Sequence, residues 1–145
     1  MAAIYFHTAD RPFHFPQKKI LKAFLGSVFQ LEHTIGKRVD YIFCSDAYLL
    51  EMNRQFLYHD TYTDILTFDL TEDKSTGSVA EIYISTDRVK ENAVNHDTIY
   101  TEELLRVMIH GILHLCGYKD KTAIEQSMMR EKEAIYINAF ESLTQ

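Results

Sequence analysis

Apolar residues switch repeatedly between two spacings along the first part of the chain, and that alternation limits it to folds that mix strands with helices. Ala2 to His7 is short, apolar and aromatic. After turn signals at Pro12 and Pro16, the residues Ile20, Leu21, Phe24, Leu25, Val28 and Phe29 recur at helical spacing. Gly36 marks a stop, Val39 to Cys44 reads as a second strand, and Ser45 or Asp46 is placed to cap a helix running to about Phe56. This β-α-β-α opening predicts an α/β arrangement.

The second half continues the pattern. Asp64 to Leu70 alternates as a third strand, and the polar stretch Thr71 to Ser78, with Gly77, separates it from a fourth at Val79 to Ile84. Those two strands could pair antiparallel. Ser85 or Thr86 opens a polar helix to about Asn95, Thr101 caps a long apolar helix to about Cys116, and Thr122 opens a last helix to about Phe140. The expected fold class is α/β (α+β), a small four-stranded mixed sheet with about five helices, with no repeat or low-complexity tract interrupting it.

With 145 residues and 46% of them hydrophobic, the chain has the size and apolar content for one core, so a single domain over residues 1–145 is expected. The N-terminal residues contain no basic segment leading into a long apolar run, and no stretch approaches the roughly 18 apolar residues of a membrane span. A soluble, unsecreted, cytoplasmic monomer is expected. Cys44 and Cys116 lie in apolar runs and read as buried thiols rather than a disulfide framework. A formal charge of −6 means that any nucleic-acid binding must use a local basic patch. Lys18, Lys19, Lys22, Arg88 and Lys90 are its candidates, against the plainer reading of solvated helix surface.

The chemistry concentrates in His110-Gly111-Ile112-Leu113-His114-Leu115-Cys116-Gly117-Tyr118-Lys119-Asp120, with the spacing H-x-x-x-H-x-x-G-x-x-D. Side chains four apart on a helix lie nearly above one another, so both imidazoles can reach one metal ion. Gly117 falls where the helix must end, and a glycine can turn the chain back toward the last turn, placing Asp120 as a third ligand. Two histidines and a carboxylate leave one position of a divalent ion, zinc by ligand type, open to a water whose pKa falls to about 7. The competing reading is a buried helix with two ordinary histidines and a glycine cap. Leu104, Leu105, Met108, Ile109, Ile112, Leu113, Leu115 and Cys116 occupy one half of the helix, whereas His110 and His114 share the other with Glu103 and Arg106, which favours the metal. Cys116 points away from the pair. Gly111 stands where H-E-x-x-H metalloproteases carry their general base. Glu103, two turns earlier on the same face, reads as a solvated first-turn acid.

HGILHLCGYKD resembles the H-G-x-L-H-L-x-G-Y-D-H signature of the YbeY family, bacterial metal-dependent endoribonucleases implicated in ribosomal RNA maturation and ribosome quality control. NRQFLYHDTYTDILTF, from Asn53 through Phe68, is similar to that family's L-N-x-x-Y-R-x-K-D-x-P-T-D-V-L-S-F segment, and Glu81 to Ser85 resembles its G-D-I-x-I-S strand. The resemblance implies a mixed α/β fold with a metalloprotease-like, helix-borne zinc site. It also implies action on single-stranded RNA, in the cytoplasm and near the small ribosomal subunit. Two positions depart from the pattern. The family's third histidine falls at Asp120, which exchanges imidazole for a harder oxygen ligand, and its arginine falls at Leu57, which carries no charge. His59 and Lys119 read as surface residues. Asn53, Thr63 and Asp64 match the family, with local turn and cap hydrogen bonding as their plainer role.

The expected function is therefore a metal-dependent, single-strand-specific endoribonuclease that holds zinc through His110, His114 and Asp120, with no residue assigned as general acid or base. A metal-dependent peptidase or other small hydrolase is one rival. A non-catalytic, ribosome-associated RNA-binding factor with a structural zinc is the other.

Overall fold

Three of the four strands among the described residues run parallel. A computed structural model describes residues 1–57 and 63–145, so His59 lies outside the described residues. In it β1 (Ala3–Thr8), β2 (Gly36–Cys44), β3 (Ile65–Asp69) and β4 (Ser78–Ser85) form one mixed sheet in the order β1-β2-β4-β3. β1 pairs parallel to β2, and β2 parallel to β4. β3 pairs antiparallel to β4, with Ile65 opposite Ile84 and Asp69 opposite Ala80, as the short polar connection between them predicts.

Five helices complete the described fold: α1 (Lys18–Leu31), α2 (Asp46–Leu57), α3 (Thr86–Asn95), α4 (Tyr100–Leu115) and α5 (Ala123–Leu143). No helix among the described residues is long and apolar enough to cross a membrane. Capping follows the sequence at three starts. The Ser45 hydroxyl accepts from the Tyr48 N–H, that of Ser85 from the Arg88 N–H, and Thr122 and Glu125 exchange the reciprocal bonds of a capping box. Two expectations are corrected. Thr101 is not a cap, because α4 begins at Tyr100 after Ile99. Gly36 is not a helix stop but the first residue of β2, since α1 already ends at Leu31.

The sheet's two faces carry unequal loads. Val39, Tyr41, Phe43, Ile82 and Ile84 point to one face and pack with Leu21, Leu25 and Phe29 of α1 and with Leu104, Met108, Ile109 and Ile112 of α4. The opposite face holds a smaller cluster, Cys44, Leu49 and Leu66, beneath α2. α4 is the central helix, with α1 on one flank and α3 and α5 on others. The Tyr41 hydroxyl, buried in the sheet's centre, donates to the Met108 carbonyl of α4 at 2.7 Å and ties helix to strand. Tyr41→Phe keeps the ring and loses the bond. Its expected cost is about 1 kcal/mol, read as a lower urea midpoint at unchanged slope.

Candidate metal centre

α4 presses one side onto the sheet at a glycine. A Cβ at Gly111 would lie 2.8 Å from Ile82 Cδ1 and 3.2 Å from Ile65 Cδ1, so the position that holds a catalytic glutamate in metalloproteases is packed into the core here. The neighbouring His110 and His114 sit on the other side, half-buried, with ring centroids 4.5 Å apart.

Past His114 the helix closes as the sequence predicts. Gly117 adopts φ +103°, its N–H donates to the His114 carbonyl and the Tyr118 N–H donates to the Leu113 carbonyl, both at 3.0 Å. This is the paired bonding of a Schellman end, which returns the chain along the last turn. It delivers Asp120, whose Oδ2 lies 3.3 Å from His110 Nε2 and 3.3 Å from His114 Nε2. Among the described residues, His110, His114 and Asp120 form a group that could hold a metal ion. Donors bound at about 2.0–2.2 Å to a tetrahedral ion lie about 3.3–3.6 Å apart. Asp120 Oδ2 already stands at such a separation from each imidazole, and the three residues each offer a ligand atom within 4.8 Å of the others.

The remaining ring nitrogens support the same reading. His114 Nδ1 is 2.9 Å from the Tyr118 carbonyl, which can only accept, so its proton is on Nδ1 and the Nε2 lone pair faces the group. His110 Nδ1 is 2.5 Å from Oε2 of Glu133, a buried α5 residue that sequence reasoning missed. Such outer partners orient metal-binding imidazoles and raise their basicity.

Glu133 belongs to a buried charge network. Arg106 donates to Glu133 at 3.2 Å and to both carboxylate oxygens of Glu103, and it approaches Asp64 at 3.8 Å. Burial would lower the Arg106 pKa, but Glu103, Glu133 and Asp64 together raise it. Glu103 is therefore not the solvated first-turn acid of the sequence reading. It is 2% exposed, because α3 and α5 cover the polar side of α4, and it also meets His96 at 3.6 Å. Asp64 does more than cap locally. Burial raises its carboxyl against the opposing pull of Arg106 and His110, and Asn92 donates to it at 3.4 Å. Thr63 keeps a local bond to the Ile65 carbonyl, and Asn53 is buried.

A cavity of about 770 Å³ opens on the centre. Asp64, just before β3, and Ile65, Thr67 and Asp69 within it line the cavity, with Arg106, His110 and His114 on α4, and with Asp120, Lys121 and the exposed Leu57. Lys119 lies elsewhere, in a separate cavity with Cys116 and Glu32. Burial pushes the Cys116 thiol up to about 11, so it offers no thiolate at neutral pH. Arg88 is engaged by Asp46 at 2.7 Å and by Glu91.

The loop bearing Asp120 is clasped from behind. The Tyr118 hydroxyl donates to Glu32 at 2.7 Å, Lys132 Nζ approaches the same carboxylate at 3.1 Å, and Tyr136 donates to it as well. Burial alone would raise the Glu32 carboxyl, but the bonds from Tyr136, Tyr118 and Lys132 hold it below its ordinary value of 4.5. A depressed folded value makes the stabilisation fully present above that pH and lost as pH falls through the folded value. Glu32→Gln should cost about 2 kcal/mol at pH 7 in thermal or urea unfolding, with the difference from wild type vanishing in acid. Glu133→Gln, with both partners present but the charge removed, should weaken metal affinity by about 10–100-fold in a competition titration.

Comparison with known proteins agrees with this architecture. The profile of the family described as Endoribonuclease YbeY matches residues 6–141. The chain is 44% identical over 138 residues to the endoribonuclease YbeY of Amoebophilus asiaticus, covering 95% of this chain and 93% of that protein. It is 48% identical over 132 residues to that of Cytophaga hutchinsonii, covering 90% of each. The solution structure of TM1509 from Thermotoga maritima superposes with a TM-score of 0.63 at 33% identity, covering 97% of this chain and 89% of that one. With the profile spanning nearly the whole sequence, and the histidine pair and Gly117 turn in place, the chain belongs to the YbeY endoribonuclease family.

Proposed function

We propose that this protein is a metal-dependent endoribonuclease that cuts single-stranded RNA and serves ribosomal RNA maturation and ribosome quality control. Its setting would be the cytoplasm, near the small ribosomal subunit, with the chain acting as a single-domain monomer. The observation that carries the reading is the convergence of His110 and His114 on Asp120 Oδ2, which lies 3.3 Å from each Nε2, in an open groove with both Nδ1 atoms already held. Those three residues would hold one zinc ion, which supplies a water of lowered pKa and a positive charge for the phosphodiester oxygens.

The chain's own groups define the rest. His110 is oriented by Glu133 and His114 by the Tyr118 carbonyl, so neither imidazole has to reorganise. Lys121 lines the groove, its backbone N–H donating to Glu125 while its ammonium forms no ion pair among the described residues, and would draw a phosphate toward the centre. Asp64 lines the groove and faces Arg106 at 3.8 Å. A peptidase loses support, because Gly111 is packed against Ile82 rather than facing the groove. The exposed Leu57 of the groove favours the second reading, an RNA-binding factor with a structural metal, since it cannot pair with phosphate.

Metal content by mass spectrometry, followed by cleavage of a single-stranded RNA, tests both readings. Wild type should carry about one zinc and cleave in a chelator-sensitive way, while His114→Ala and Asp120→Ala should lose metal and activity together. Leu57→Arg should raise cleavage. Three folded, metal-free proteins would reduce the constellation to a helix cap. Metal-loaded wild type that binds RNA without cutting it, unaltered by Leu57→Arg, would favour the binding factor.

A further inference from the structure

The parallel strands β1, β2 and β4 run in one direction, and at their carboxyl ends the chain builds a further cavity, of about 570 Å³. Such ends are where open α/β sheets commonly receive ligands. Its lining comes from the segment after β1 (Arg11, His14) and from the starts of α1 (Lys18), α3 (Thr86, Lys90) and α4 (Tyr100, Thr101). No carboxylate lines it among the described residues, although the whole chain carries a net charge of −6.

The cations differ in their availability. Arg11 is already paired with Asp87 at 3.2 Å. Lys18 and Lys90 form no ion pair among the described residues, although the Asp87 carboxylate, already held by Arg11, is close enough to Lys90 to feel its charge. Their ammonium groups rest over aromatic rings instead, Lys18 at 5.1 Å from the Phe13 centroid and Lys90 at 5.7 Å from that of Tyr100. Those contacts leave the Lys18 charge, and the part of the Lys90 charge that Asp87 does not offset, available to a ligand, and aim two stems at one cavity. Neither α1 nor α4 has a side-chain cap, so their first N–H groups add to the same positive field. Both lysines are exposed, which suits a strand lying across the surface better than an enclosed small anion.

We propose that this cavity binds backbone phosphate of the RNA at a distance from the cleavage centre, with Lys18 and Lys90 as its principal contacts. The inference rests on the RNA reading above and adds a second, metal-independent contact. Thr101 and His110 are nine residues apart on α4, so the two sites are separated by about 14 Å along the helix axis. A dinucleotide whose single phosphodiester lies at the metal has no phosphate left for the cavity. A longer strand has.

The test compares wild type with the double variant Lys18→Gln/Lys90→Gln, two exposed positions. Fluorescence anisotropy reports binding of single-stranded oligouridylate as salt is raised, while a gel shows the RNA intact. Losing two phosphate contacts should lower the slope of log affinity against log salt by about 1.4. Between about 50 and 200 mM salt, wild-type affinity should therefore fall about sevenfold more than that of the variant. Dinucleotide cleavage should be unchanged. Equal slopes, with chelator-sensitive cleavage intact, overturn the second site and leave the endoribonuclease reading standing. If wild type neither binds nor cleaves RNA, both fall. If millimolar inorganic phosphate shifts the NMR signals of Lys18 and Lys90 while oligouridylate leaves them unmoved, the cavity takes free phosphate and the RNA assignment is wrong.

Discussion

The contact between α4 and the sheet at Gly111 sets where everything else can be. With no side chain there, the helix comes down until Ile82 and Ile65 occupy the space a Cβ would need. Leu104, Leu105, Met108, Ile109, Ile112 and Leu113 are thereby buried, and Met108 comes within hydrogen-bond reach of Tyr41. The same rotation turns His110 and His114 toward β3, so the groove lies between the last turns of the helix and an edge strand. A larger residue at Gly111 would have to lift or rotate the helix that carries both imidazoles.

Burying one face of α4 left a polar face that the fold also had to cover, and the cover consists of charges. Arg106 sits among Glu103, Glu133 and Asp64. Taking such groups out of water costs several kcal/mol per ion, so the network is a poor source of stability. It is a good source of position. Glu133 cannot release His110 without leaving Arg106 short of a partner, and Arg106 cannot swing away without stranding Glu103. No buried side-chain nitrogen or oxygen among the described residues lacks a partner, which is what such a network requires if it is to hold one geometry.

Much of this was legible in the sequence wherever the cause was local. The i, i+4 histidines, the Gly117 turn, the caps at Ser85 and Thr122 and the antiparallel β3–β4 pair all follow from residues a few positions apart. What escaped came from elements meeting across the fold. Glu133 lies 23 positions from His110, and Glu32 lies 86 from Tyr118. Neither belongs to a spacing that announces a partner. Glu103 was misread for the same reason, because a helical wheel shows which residues avoid the apolar half but not that α3 and α5 close over the other half. Gly36 was misread because a glycine after an amphipathic run signals a turn equally well when it opens the next strand.

Charge accounting links the centre to the rest of the surface. An all-histidine ligand set leaves the full double positive charge of its ion to act on a phosphodiester. Here Asp120 would place a carboxylate directly on an ion, which lowers the charge of the centre by one relative to three imidazoles. Arg106, enclosed by three carboxylates, adds little net field, and Leu57 adds none. Attraction for a polyanion must then come from cations free of such partners, in a protein whose overall charge repels one. Lys121 stands beside His110, His114 and Asp120, and Lys18 and, less completely, Lys90 meet that condition at the carboxyl ends of the parallel strands. On this reading the fold separates two tasks. Its centre is built for oriented chemistry at lowered charge, and the grip on the strand is shared between Lys121 at the groove and lysines away from it.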